Sequence, residues 1–200
     1  MRAAKFVAFA ALLMPFAAIV LAVLFDPTAL GANPAEAILH QTGDWMLNTL
    51  VLTLAVTPLR RITGLNDLIR FRRMFGLFVA FYAFCHVMAY LGFDRLFDLS
   101  DMAREIAKRP FILVGFLGIL ILIPLAVTST RGWALRLGGK TWANLHRGVY
   151  AVAVLGTLHY VWLVKRDLTC PLVYAALFLL LFLARWPKPV PKFGILKNWN

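Results

Sequence analysis

The sequence predicts an all-α integral membrane protein, a bundle of six transmembrane helices with both termini in the cytoplasm. Three observations predict it. Of the 200 residues, 62% are hydrophobic and only 15% are charged, against about 45–50% and about 25% in soluble domains. The mean hydropathy is +0.78. The apolar residues gather in six runs, most of them near the roughly 20 residues that cross a bilayer. Finally, most of the cations fall in the segments between alternate runs. Six crossings and their loops use the whole length, so residues 1–200 read as a single transmembrane domain with no soluble domain beside it.

The first run, about residues 6–25, follows Met-Arg-Ala-Ala-Lys. It exceeds the roughly 7–15 apolar residues of a secretory signal and ends at Phe25-Asp26-Pro27, not at a small-residue cleavage site. It therefore reads as a retained helix. The second run, 45–59, is short for a span, and residues 37–40 extend it at the outer end. The third and fourth runs, 74–93 and 111–128, have full length. Pro124 can kink the fourth, and Gly115 and Gly118 let a neighbouring helix come close. The fifth run covers 145–164. The sixth, 171–186, is stopped by Pro187-Lys-Pro-Val-Pro191, which leads into a stiff basic tail. Between the third and fourth runs, residues 98–109 mix charged and apolar residues in the manner of a surface helix.

Orientation follows from the cations. With the N-terminus inside, residues 1–5, 60–73, 129–147 and the tail from Arg185 hold fifteen of the 21 Lys and Arg. The outer loops then hold eight of the nine acidic residues, Asp67 being the exception. Cytoplasmic loops carry this excess of Lys and Arg, so both termini are expected inside. The net charge of +12 and pI near 10.4 are thus accounted for by topology. No basic face remains for nucleic acid.

Several chemistries are excluded. The two cysteines, Cys85 and Cys170, make no disulfide framework, and the absence of CxxC and CxxCH argues against iron–sulfur clusters and attached c-type haem. No glycine-rich fingerprint lies in a strand–helix context, so nicotinamide nucleotides are not expected to bind.

The histidines carry the chemistry. His86 lies in the third run, His146 and His159 in the fifth. An imidazole in hydrocarbon is costly unless it ligates or hydrogen-bonds a partner. His86 is 13 residues in from Arg73, about 20 Å at roughly 1.5 Å per residue, and His159 is 14 residues in from Leu145. Both therefore sit at matched depth in the outer half, where facing imidazoles can hold haem iron from both sides. Bonding to a carbonyl or a threonine is the plain alternative for each ring.

His146 lies near the cytoplasmic end. A second bis-His site would need a partner one haem spacing inward of His86, where Arg72 stands. His146 and His159 also project about 140° apart on an ideal helix, unless a kink or bulge at Gly156 realigns them. One haem is the count the ligands support, with His146 ligating or bordering a second redox group. Phe75, Phe78, Phe81, Tyr82 and Tyr150 are either haem neighbours or ordinary packing. His40 belongs to the outer end, solvated or near a docked partner. The inner arginines, Arg72 and Arg73 among them, serve topology or hold an anionic flavin phosphate.

The chain resembles the ferric-reductase-like six-helix membrane family, whose architecture NADPH oxidases share. Within it, the chain is most similar to the haem-binding membrane subunits of bacterial methionine sulfoxide reductase systems. The matching stretches include Gly31-Ala32-Asn33-Pro34, His40-Gln41-Thr42-Gly43, Thr57-Pro58-Leu59 and Ile69-Arg70-Phe71-Arg72-Arg73-Met74-Phe75-Gly76-Leu77. They continue through Ala126-Val127-Thr128-Ser129-Thr130, Trp142-Ala143-Asn144-Leu145-His146-Arg147-Gly148-Val149-Tyr150 and His159-Tyr160-Val161-Trp162.

The resemblance implies an electron carrier of the bacterial inner membrane. Electrons from the quinone pool or a cytoplasmic flavin reductase would cross on haem b. They would reach a periplasmic molybdopterin enzyme that reduces methionine sulfoxide in oxidised proteins. It places the ligands on His86, His146 and His159 and brings FMN as an associated cofactor. The alternatives are a ferric reductase or quinol-linked cytochrome b acting on a small substrate, and a histidine-based proton or metal transporter. The scarcity of intramembrane acids argues against the transporter.

Overall fold

Every regular element among the described residues is helical. The computed structural model describes residues 2–94, 96–164 and 166–185, so the proline-rich stop and basic tail lie outside them. The helices are α1 (Arg2–Phe25), α2 (Pro34–Thr63), α3 (Arg72–Ala89), α4 (Leu99–Lys108), α5 (Pro110–Val127), α6 (Arg131–Leu137), α7 (Gly139–Leu145), α8 (Gly148–Leu163) and α9 (Thr169–Arg185). Three stretches are long and apolar enough to cross a membrane: α1, residues 66–93 around α3, and α5. The 17 residues of α9 form a shorter apolar helix.

The largest departure from the sequence reading is α2. It spans 30 residues, about 45 Å at roughly 1.5 Å per residue, where the apolar run covers only 45–59. Polar residues at 40–44 hide its outer half from a hydropathy reading. The start is set by capping chemistry. Asn33 accepts the Glu36 N–H at 3.3 Å and donates from its side-chain amide to the Glu36 carboxylate at 3.1 Å, with Pro34 at the first helical position. The polar turn stays helical because its side chains find local partners: the Thr42 hydroxyl donates to the Ile38 carbonyl at 2.7 Å. Gly64 ends the helix with φ 71°, in the left-handed region that suits glycine.

Two intimate antiparallel pairs, α2 with α3 and α5 with α8, meet through α3 and α5, and α9 closes the bundle against α2 and α8. Leu47, Leu50 and Leu54 of α2, Val79 and Ala83 of α3, Leu122 of α5, Val152 and Ala153 of α8 and Phe178 of α9 form the shared core. Helix α1 lies to one side, fastened to α3. The buried Tyr82 hydroxyl donates to the Leu12 carbonyl at 2.6 Å, and Phe16 meets Phe81 edge-on with ring centres 5.0 Å apart.

A proline fault is repaired near the C-terminal end of α2, the end the sequence reading places inside. Pro58 sits inside α2 and has no N–H for the Leu54 carbonyl four residues earlier. Arg185 donates to that carbonyl from Nε at 2.9 Å and from Nη2 at 2.6 Å. Its Nη1 donates to the Tyr150 hydroxyl at 3.1 Å. The basic residue that ends α9 thus satisfies a break on another helix.

The surface helix expected at 98–109 is α4, capped by the Asp98 carboxylate, which accepts the Ser100 and Asp101 N–H groups at 2.8 and 3.0 Å. The segment 129–147 holds two short helices, α6 and α7, where the sequence reading has only a loop. The Thr130 hydroxyl accepts the Trp133 N–H at 3.3 Å and starts α6. The fifth run likewise divides: α7 ends at Leu145, His146 and Arg147 form a turn, and α8 begins at Gly148. Helix α8 continues unbroken through Gly156, so the bulge considered there is absent. A Cβ at Gly156 would stand 3.3 Å from Leu47 Cδ2, so that glycine serves close packing of α8 on α2.

Candidate functional site

Four helices bring His86 and His159 together at one end of the bundle, the end that the cation count of the sequence assigns to the outer side. His86 lies one turn before the end of α3 and His159 one turn before the end of α8, while the partners that orient them come from the second turn of α2 and the first turn of α5. The His86 Nδ1 is 3.0 Å from the Leu39 carbonyl of α2, and the His159 Nδ1 is 2.7 Å from the Phe111 carbonyl of α5. A carbonyl only accepts, so each Nδ1 carries the proton and donates. In the neutral ring the Nε2 lone pair is then left for a metal. This is the outer-shell arrangement typical of metal-bound histidine, which fixes tautomer and ring orientation together.

The ring centres are 6.3 Å apart and their planes are at 89°. A metal–imidazole bond of about 2.0–2.1 Å, as in zinc sites, with each ring centre roughly 1.1–1.2 Å behind its nitrogen, sets the centres of two trans imidazoles about 6.2–6.6 Å apart. The observed separation falls in that range. The perpendicular planes are no obstacle, since each ring could turn about its own bond to a metal held between them. Among the described residues no cluster of three or more His, Cys, Asp or Glu is placed to hold a metal. The pair offers two imidazole nitrogens to one metal, whose remaining ligands would have to come from outside this set of side chains.

Two glycines make room for the rings. A Cβ at Gly115 would stand 2.7 Å from His159 Nδ1, and one at Gly43 would stand 3.3 Å from His86 Nδ1. The close approach expected at Gly115 is therefore an approach to the imidazole itself, and Gly118 meets Leu155 at ordinary contact distance. The sequence offered no sign that Gly43 backs a histidine, because the contact joins residues 43 positions apart.

His146 stands apart. It is 13 residues from His159, about 20 Å along a helix at roughly 1.5 Å per residue. Its Nδ1 donates to the Trp142 carbonyl of its own turn at 3.0 Å, the Trp142 ring stacks on it at 3.9 Å, and its Nε2 lies 3.5 Å from the Ser129 hydroxyl. The Trp142 indole in turn donates to the Thr128 carbonyl at 2.9 Å. Arg72 and Arg73 also part company. Arg72 is within electrostatic reach of Arg185 and Tyr150, whereas Arg73 lines a groove against α1 with Lys5 and Arg70.

The aromatic residues weighed as haem neighbours are engaged elsewhere. Phe78, Phe81 and Tyr82 pack toward α1 and Trp45, Phe75 lines a small recess with Phe71, Leu52 and Val56, and Tyr150 packs against Phe182 and Arg185. The ring that does lie beside the pair is Phe111, its centre 6.1 Å from that of His159. His40 is half exposed and 3.7 Å from the Glu36 carboxylate, one turn away.

Residues 42–157 match the family described as ferric reductase like transmembrane component. A protein of Herminiimonas arsenicoxydans described as the protein-methionine-sulfoxide reductase heme-binding subunit MsrQ is 50% identical over 183 residues, 90% of this chain and 83% of that protein. The chain belongs to the MsrQ family. Relatives with the same description are 49% identical in Polaromonas naphthalenivorans, covering 90% of this chain and 82% of that protein, and 47% identical in Caulobacter vibrioides, covering 78% and 74%. No solved structure matches the chain. Family membership and the apolar helices together establish a multi-pass membrane protein.

Proposed function

We propose that this chain holds haem b between His86 and His159 and passes electrons through the bacterial inner membrane to a periplasmic methionine sulfoxide reductase. The observation that carries the reading is the pair of imidazoles 6.3 Å apart, each tethered through Nδ1 to another helix. The description of the relatives as heme-binding subunits of a protein-methionine-sulfoxide reductase supports it. The bound group supplies reversible one-electron chemistry. The chain supplies axial ligands, fixed tautomers and a water-poor bundle around them.

In this reading six helices (α1, α2, α3, α5, α8 and α9) cross the membrane, with both termini in the cytoplasm and the His pair in the outer half. Electrons enter from a quinone or a cytoplasmic flavin reductase and leave toward a molybdopterin-containing partner, which docks at the outer loops near His40 and α4. Sulfoxide reduction belongs to that partner. His146, stacked by Trp142, borders the route from the cytoplasmic side. FMN is the candidate donor group there, and the divergence of Arg72 from Arg73 means that a flavin phosphate meets one of them and not both.

Purified protein tests the ligand assignment. A Soret band with a sharp reduced α-band is expected, and quantified haem should approach one per chain. His86→Ala and His159→Ala should each lose the low-spin spectrum. Unchanged spectra in both variants would overturn the assignment. Colourless folded protein that takes up no haem would favour a transporter instead.

A further inference from the structure

Helices α1 and α3 enclose a groove of about 430 Å³ at their inner ends, lined by Lys5, Phe9, Leu13, Arg70, Arg73, Met74, Leu77, Phe78 and Phe81. We propose that this groove is a binding site for an anionic glycerophospholipid, with its phosphate between Lys5, Arg70 and Arg73 and one acyl chain along the aromatic wall below. The proposal does not rest on the haem reading.

Charge and depth select this occupant. Three cations converge at one rim, Lys5 from α1, Arg73 from the first turn of α3 and Arg70 from the turn just before it. Asp67 lies 3.4 Å from Arg70, but neither Lys5 nor Arg73 has a carboxylate within ion-pair distance among the described residues. Beneath the rim every lining residue is apolar. From Lys5 to Leu13, and from Arg73 to Phe81, the wall runs eight residues, about 12 Å at roughly 1.5 Å per residue. That is most of one hydrocarbon leaflet, since the whole core is about 30 Å thick. A cationic rim over a leaflet-deep apolar wall matches a molecule with a phosphate head and a hydrocarbon tail. Basic pockets between membrane helices bind acidic lipid headgroups by this chemistry.

The groove also has a floor. Phe9 meets Phe78 edge-on with ring centres 5.3 Å apart, and the Tyr82–Leu12 hydrogen bond fixes α1 to α3 just below. Lipid in the groove would therefore brace the N-terminal turn of α1, which is otherwise exposed.

Native mass spectrometry of the detergent-purified chain, titrated with phosphatidylglycerol or phosphatidylcholine, tests the proposal. The wild-type chain is expected to retain one phosphatidylglycerol at least about tenfold more strongly than phosphatidylcholine. The triple variant Lys5→Gln, Arg70→Gln, Arg73→Gln should abolish the preference. A control with the same charge removed elsewhere (Arg131→Gln, Arg136→Gln, Lys140→Gln) should keep it, and its folding is checked by thermal melting. Equal retention of both lipids, or equal loss in both variants, would overturn the site. Displacement of the lipid by micromolar FMN would also overturn it, in favour of a flavin phosphate.

Discussion

The two ends of the bundle treat histidine differently, although both fix Nδ1 on a backbone carbonyl. At the outer end the carbonyls of Leu39 and Phe111 belong to neighbouring helices, so helix packing aims the two rings across a shared gap. At the inner end the carbonyl of Trp142 lies in the same turn as His146, and the Trp142 ring covers one face. Tethering alone therefore does not bring two imidazoles together. What distinguishes the outer end is a second imidazole at ligand-to-ligand distance, with glycines behind both rings.

The sharpest way to break this contrast is by substitution of the histidines. On the proposed function, His86→Ala or His159→Ala should remove more than about nine-tenths of the haem, because one imidazole would have to hold the group alone. His146→Ala should retain most of it. Haem quantified in all three purified variants decides the matter. Comparable loss in His146→Ala would erase the difference between the ends.

The glycines grade the same contrast more finely. Gly115→Ala puts a methyl group 2.7 Å from His159 Nδ1, closer than real Cβ contacts permit, while Gly43→Ala puts one at 3.3 Å from His86. Gly115→Ala should lower haem occupancy several-fold or shift the Soret band, and Gly43→Ala should do so less. The reverse order would show that the rings move freely in their gap.

The inner end should yield its effect in stability. Arg185→Ala leaves the Leu54 carbonyl, already deprived of its helical donor by Pro58, without the guanidinium. The loss of a donor to a buried acceptor costs about 1–3 kcal/mol, readable as a lower melting temperature with the haem content unchanged.

The smallest effect lies in the outer loop. Hydrogen bonds from the Asp101 N–H first, and then from Ser100, hold the Asp98 carboxylate below the ordinary aspartate range. The depressed native pKa makes its capping contribution fully present above the unfolded value and lost as pH falls through the native one. Protection of the amides in the first turn of α4, measured against their intrinsic exchange rates at each pH, should therefore hold at neutral pH and fall only in acid. Asp98→Asn, which keeps the cap but cannot ionise, should flatten that dependence.

Much of the site was legible in the sequence, for a physical reason. Depth along a helix is a matter of counting, so the thirteen residues from Arg73 to His86 and the fourteen from Leu145 to His159 put both imidazoles at one level. What counting could not give was azimuth. The bulge at Gly156 that could have realigned His146 with His159 is absent, and the chain turns at His146-Arg147 instead. The outer half of α2 was hidden for a related reason: hydropathy averages over side chains, whereas capping by Asn33 and the Thr42–Ile38 hydrogen bond act one residue at a time.

The sequence by itself determined that the chain lives in lipid, which segments are apolar, and which histidines share a depth. Those properties follow from transfer free energy and the fixed rise of a helix, both local. The tertiary structure alone decided that the Leu39 and Phe111 carbonyls set the tautomers, that Gly43 and Gly115 stand behind the rings, and that Arg185 repairs the break at Pro58. Each of these joins residues more than forty positions apart, and only the packing of one helix on another brings them within hydrogen-bonding or van der Waals reach.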